Sequence, residues 1–191
     1  MSSLTILAFG NFQEKDSSES ILENFLKTKS IQDIEKKRNN TLIFPYNLTE
    51  NDPTKIKIIF IKNYEKEHKI CKLADGYLII LDLEQVDCLD KLNDITQYIK
   101  LKCSPETVNS FIIGKYFDNN NKIKSLNKNV INEQIKKVGL TLYNYEEICL
   151  NPRKDFIGLL ETIFKDIMDH KTKTDKSLGK PNESTSRCNI Y

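Results

Sequence analysis

The chain has 191 residues, with 29 Lys and Arg against 27 Asp and Glu, a formal charge of +2 and 39% hydrophobic residues. That length suits one domain with a sizeable core rather than two, and so balanced a charge argues against nucleic acid as a partner. The five cysteines, at 71, 88, 103, 149 and 188, form no C-x-x-C pair and have only His68 and His170 beside them, which argues against a zinc site. The start, "MSSLTILAFG", lacks the basic region and long apolar stretch of a signal peptide. No segment approaches the roughly 18 apolar residues of a membrane span. The expected setting is the cytoplasm, with reduced thiols. The Asn-Lys runs (Asn119 to Lys124, Asn127 to Asn129) read as polar loops, and the N-x-[ST] triplets at Asn39, Asn47 and Asn182 as accidents of an Asn-rich chain.

In chain order, residues 4 to 9 form a short apolar run that predicts a buried strand. Ile21, Leu22, Phe25 and Leu26 then share one face of a helix over Ser17 to Lys27, with Asp16 and Glu19 spaced as a capping box. After the polar stretch "TKSIQDIEKKRNN", "TLIFPYN" and "KIKIIFIKNY" predict two strands, and the "LTENDPT" between them predicts a turn and an antiparallel pair. "GYLIILDL" is the most strand-like run. Leu89, Leu92, Ile95, Tyr98 and Ile99 mark a helix by their spacing; "SFIIGKYFD" is a strand, "NVINEQIKKVG" a helix closed by Gly139, and "LTLYNYEE" a strand. Phe156, Leu159, Leu160, Ile163, Phe164 and Ile167 line a last long helix, and from about His170 the apolar periodicity vanishes. The order β-α-β-β-β-α-β-α-β-α, with continuous apolar strands, predicts an open α/β sheet covered on both faces and carrying one antiparallel strand. Ligands of such sheets sit at the carboxyl ends of strands.

With that order, "LADGYLIILDL", "FIIGKYFDNN" and "FIGLLETIFKDI" make the chain resemble the Ras-like small GTPases over about residues 4 to 169. The resemblance implies a P-loop NTPase-like, mostly parallel six-stranded sheet with one antiparallel strand and helices on both faces. It places that domain at residues 1–169, followed by a flexible tail, 170–191. It also implies GTP or GDP with magnesium, which need specific groups. A phosphate loop G-x-x-x-x-G-K-[ST] offers backbone N–H groups, a Lys for the phosphate charge and a hydroxyl for the metal. In "FGNFQEKDSS", Gly10 and Ser17 meet two of these needs; Lys15 replaces the second Gly, and Asp16 replaces the Lys. Asp16 places a negative charge where phosphates would lie, at a Coulomb energy of ~4 kcal/mol for charges 4 Å apart. Lys15 is the only substitute cation in the loop; otherwise Asp16 is a helix cap beside a solvated lysine.

The other motifs are equally worn. Where D-x-x-G should hold magnesium and sense the γ-phosphate stand Ile61, Lys62, Asn63 and Tyr64, with no glutamine following to position water, so hydrolysis by the family's route is not expected. Thr41 is the one threonine near the first switch that abuts a strand, and it also reads simply as that strand's first residue. N-K-x-D, the guanine motif, aligns with Lys115, Tyr116, Phe117 and Asp118: Asp118 survives as a candidate guanine acceptor and Tyr116 or Phe117 as stacking groups, while Asp118 is equally a common turn residue. S-A-K aligns with Cys149, Leu150 and Asn151.

The last four residues, "CNIY", place Cys188 with the spacing of a C-a-a-X prenylation box, although a terminal Tyr is atypical. One lipid chain gives only marginal membrane binding, and the charges of residues 169–187 leave a small positive excess rather than a polybasic patch. Three readings follow. The first is a catalytically degenerate Ras-like protein, held by a prenylated Cys188 on the cytosolic face of a membrane and binding effector or regulatory proteins in signalling or vesicle traffic. The second is a divergent GTPase using Gly10, Lys15 and Ser17 for phosphate and magnesium and Asp118 for guanine. The third is a soluble α/β adaptor with neither nucleotide nor membrane link.

Overall fold

Apolar, β-branched runs become the strands of one sheet, and the helices between them lie on its two faces. In a computed structural model of the chain, the structure describes residues 2–10, 22, 26–29, 31, 34–37, 40–49, 52–61, 74–102, 109–116, 127–140, 143–149 and 154–177. The strands are β1 (Ser3–Gly10), β2 (Glu35–Lys37), β3 (Thr41–Thr49), β4 (Asp52–Phe60), β5 (Gly76–Asp82), β6 (Asn109–Tyr116) and β7 (Tyr143–Cys149). The helices are α1 (Cys88–Lys102), α2 (Lys128–Val138) and α3 (Lys154–Ser177). Leu22 and Leu26, also helical and buried, come from the first expected helix, most of which lies outside the described residues.

The sheet order is β2-β3-β4-β1-β5-β6-β7. β4, β1, β5, β6 and β7 run parallel to their neighbours, while β3 pairs antiparallel with both β4 and β2. β3 is therefore the one strand that opposes the rest. All six expected strands are present, and the expected count is corrected to seven by β2. Its Glu-Lys-Lys sequence has no strand signature, and it forms by pairing with the apolar start of β3. Asn40, with φ of 51°, makes the left-handed step that turns the chain from β2 into β3.

Alternating residues of the buried strands feed two cores. On one face Leu4, Ile6, Phe60, Leu78 and Phe111 pack with Leu160, Ile163, Phe164 and Ile167 of α3, and the rings of Phe44 and Tyr46 lie 6.3 and 6.2 Å from that of Phe164. On the other face Leu7, Phe9, Ile79 and Ile112 pack with Leu92, Ile95 and Ile99 of α1 and Ile131 and Ile135 of α2. α2 starts at Asn127, whose side chain accepts the Asn129 N–H, and stops at Gly139, whose φ of 69° is the left-handed conformation that glycine adopts without strain.

α3 runs on to Ser177, past the point at His170 where apolar periodicity ends. What holds this segment is polar: the Lys171 ammonium donates to the Ser3 carbonyl at 2.7 Å and pairs with Asp75 at 3.1 Å, while Asp75 accepts the Thr5 N–H at 2.7 Å. One turn earlier, Ile167 fills the space above Gly76, where an added Cβ would come within 2.5 Å of its side chain. The Asp-Gly pair at 75–76 thus seats α3 on the amino end of β1 and β5.

Candidate functional site

Parallel strands of an open sheet bring their last residues to one edge, here Gly10, Ile61, Asp82, Lys115, Tyr116 and Cys149. Gly10 lies opposite Ile80, Asp82 opposite Lys115, and Tyr116 opposite Cys149. Gly10 has a φ of 155°, a backbone state outside the usual range of L side chains, at the point where β1 gives way to the "NFQEKDSS" segment. Ile61, aligned with the magnesium-binding Asp of the resembled family, is buried, and its N–H donates to the Ala8 carbonyl at 2.9 Å. It supplies no oxygen ligand and belongs to the core beneath α1. Thr41 is the buried first residue of β3, opposite Ile59.

The charged centre of the edge is one that the motifs do not contain. Lys115 is only 3% exposed, and its ammonium lies 2.9 Å from Oδ2 of Asp82, itself 14% exposed. The other carboxylate oxygen of Asp82 accepts the Glu84 N–H at 3.1 Å, the Asp82 carbonyl accepts the Gln85 N–H, and the Lys115 carbonyl accepts the Leu83 N–H at 2.9 Å. Backbone and side chain together close the β5–α1 turn over the end of β6. Gly114, just before Lys115, allows this closure: a Cβ there would meet Leu83 at 2.8 Å and the Tyr145 hydroxyl at 2.9 Å. The Tyr145 hydroxyl donates to Glu147 at 2.8 Å, and burial first, then that carboxylate, raises its pKa. Burial likewise pushes the Cys88 thiol up to about 11, with the Asp87 and Asp82 charges adding to the effect. A thiol so shifted is a poor nucleophile at neutral pH.

Motif reading named Lys115 only as the residue in the Asn place of N-K-x-D, and it passed over Asp82 and the pairing of the two. Their signal was available: a lysine that follows the apolar run "FIIG" of a buried strand needs a counter-charge, and the aligned end of the neighbouring strand offers Asp82. Of the sequence-predicted site residues, the structure places Gly10, Ile61, Thr41, Lys115, Tyr116 and Cys149. Lys15, Asp16, Ser17, Lys62, Asn63, Tyr64, Phe117, Asp118, Leu150, Asn151 and Cys188 lie outside the described residues.

Among the described residues, no group of three His, Cys, Asp or Glu side chains could hold a metal ion, and no helix is long and apolar enough to cross a membrane. Among the described residues of the edge, Ile61 offers no oxygen ligand and the Lys115 ammonium pairs with Asp82, while Lys15, Ser17 and Asp118, on which nucleotide binding would rest, lie outside them. No protein-family model matches the chain, and no curated protein matches it significantly.

Proposed function

We propose that the chain is a catalytically degenerate Ras-like protein. It works by binding another protein in signalling or vesicle traffic, and a prenylated Cys188 tethers it to the cytosolic face of a membrane. The observation that carries this reading is the buried Lys115–Asp82 pair. It stands at the strand end where the resembled family keeps the Asn of its guanine loop. The position has exchanged an amide that can bridge loops for a cation neutralised inside the protein. Ile61 supports the same reading at the end of β4, where an apolar core residue replaces a metal-binding carboxylate.

The purified chain, mixed with millimolar GTP or GDP and magnesium, should show no shift in melting temperature and no phosphate release above buffer. Hydrolysis that disappears in Ser17→Ala would overturn the reading. Radiolabelled isoprenoid should be incorporated by the chain and not by Cys188→Ser; equal labelling of both leaves the soluble adaptor as the better description. A divergent GTP-binding protein draws its support from Gly10, which ends β1 with a φ of 155° at the glycine that opens the half-preserved phosphate-loop sequence. The melting experiment separates it from the leading reading.

A further inference from the structure

Crossover helices that follow parallel strands return to the amino edge of the sheet, so α1 and α2 both end there, opposite the Lys115–Asp82 edge. The two ends adjoin: the Lys100 ammonium lies 2.9 Å from where a Cβ on Gly139 would stand. The last turns carry Lys100 and Lys102 on α1 and Lys136 and Lys137 on α2, all four exposed, and no acidic residue. Lysines in a last turn complement the helix dipole, which accounts for their presence on each helix separately. It does not account for Leu101, which sits between two of them and is 77% exposed. α3 also ends at this edge, anchored by Lys171 to Ser3 and Asp75.

From this arrangement we propose that the joined ends of α1 and α2 form a docking surface for an anionic lipid bilayer. The lysines meet phosphate headgroups, and Leu101 enters the interfacial layer. Four exposed lysines at two adjoining helix ends, with Leu101 exposed between two of them in sequence, match a surface that is negative outside and apolar beneath. As the second membrane signal beside a single lipid on Cys188, the surface rests on the function proposed above. The attraction itself does not.

The test uses the full chain without lipid, sedimented with phosphatidylcholine vesicles with and without phosphatidylserine. Binding should require phosphatidylserine and fade as ionic strength rises from ~0.1 to ~1 M, where the screening length falls from ~10 to ~3 Å. Joint replacement of Lys100, Lys102, Lys136 and Lys137 by Gln should weaken it by about tenfold or more. Leu101→Ser, at a site that is 77% exposed and so has little packing to lose, should also weaken it and carries the test if the quadruple variant is unstable. Equal binding to neutral vesicles, unchanged binding of these variants, or a loss confined to replacement of Lys173, Lys176, Lys180 and Arg187 would each overturn the proposal. Because no isoprenoid is present, failure here leaves the Cys188 assay standing, and failure of that assay leaves this surface standing.

Discussion

Taking an ammonium group out of water costs several kcal/mol unless a counter-charge accompanies it, so Lys115, 3% exposed, depends on the Asp82 carboxylate 2.9 Å away. Asp82→Asn removes that counter-charge and should lower stability in urea by about 3–5 kcal/mol. Lys115→Met should cost less, since Asp82 is nearer solvent and keeps the Glu84 N–H. The double variant should fall well short of the sum of the two, the mark of a direct pair. Cys88 gives a pH-dependent counterpart. Its thiol keeps its proton to about pH 11 in the folded chain, while the unfolded thiol loses it near the ordinary value of 9. The folded state binds more protons across that window, so the thiol's contribution is complete below pH 9 and lost as pH rises toward 11. The stability advantage of the native chain over Cys88→Ala should therefore shrink between pH 9 and 11 in denaturant titrations.

For the elements, the seating of α3 is decided by Gly76 beneath Ile167. Gly76→Ala would force a Cβ to within 2.5 Å of that side chain. An overpacking cost of about 1–3 kcal/mol is expected, with part recovered by adding Ile167→Val, as thermal melts would register. Element order was legible in the sequence because the core strands are uninterrupted apolar runs and the helices keep apolar residues at spacings of three and four. Two features were not. β2 carries charged residues and exists only through its partner β3. The end of α3 relies on Lys171, Asp75 and Ser3, contacts between residues far apart in the chain that hydrophobic periodicity does not register. The same holds at the candidate site: the positions of Lys115 and Asp82 could be read singly, but their pairing needed the register of β5 against β6. Asp75 and Gly76 lie within the run "LADGYLIILDL" that carries the resemblance, and the structure supplies their work, holding a lysine and making room for an isoleucine.

For the whole molecule, the sheet separates two cores that each need their own helices. Phe164→Ala on one face and Ile135→Ala on the other each remove a fully buried side chain, at about 3–5 and 2–5 kcal/mol respectively. They belong to opposite cores with no shared partners, so their effects should add to within about 0.5 kcal/mol in urea titrations, if the double variant still folds.

The Lys171–Ser3 bond joins residues 168 positions apart. A ribosome delivers the first strand early and α3 late, and domains are made N-terminal end first. While the growing chain waits, Leu4, Ile6, Leu78 and Phe111 have no Phe164 or Ile167 above them. Until α3 emerges that flank of the sheet has, among the described buried residues, only Leu22 and Leu26 from the earlier part of the chain to cover it, so truncation before Lys154 should leave most of it open to solvent and to aggregation.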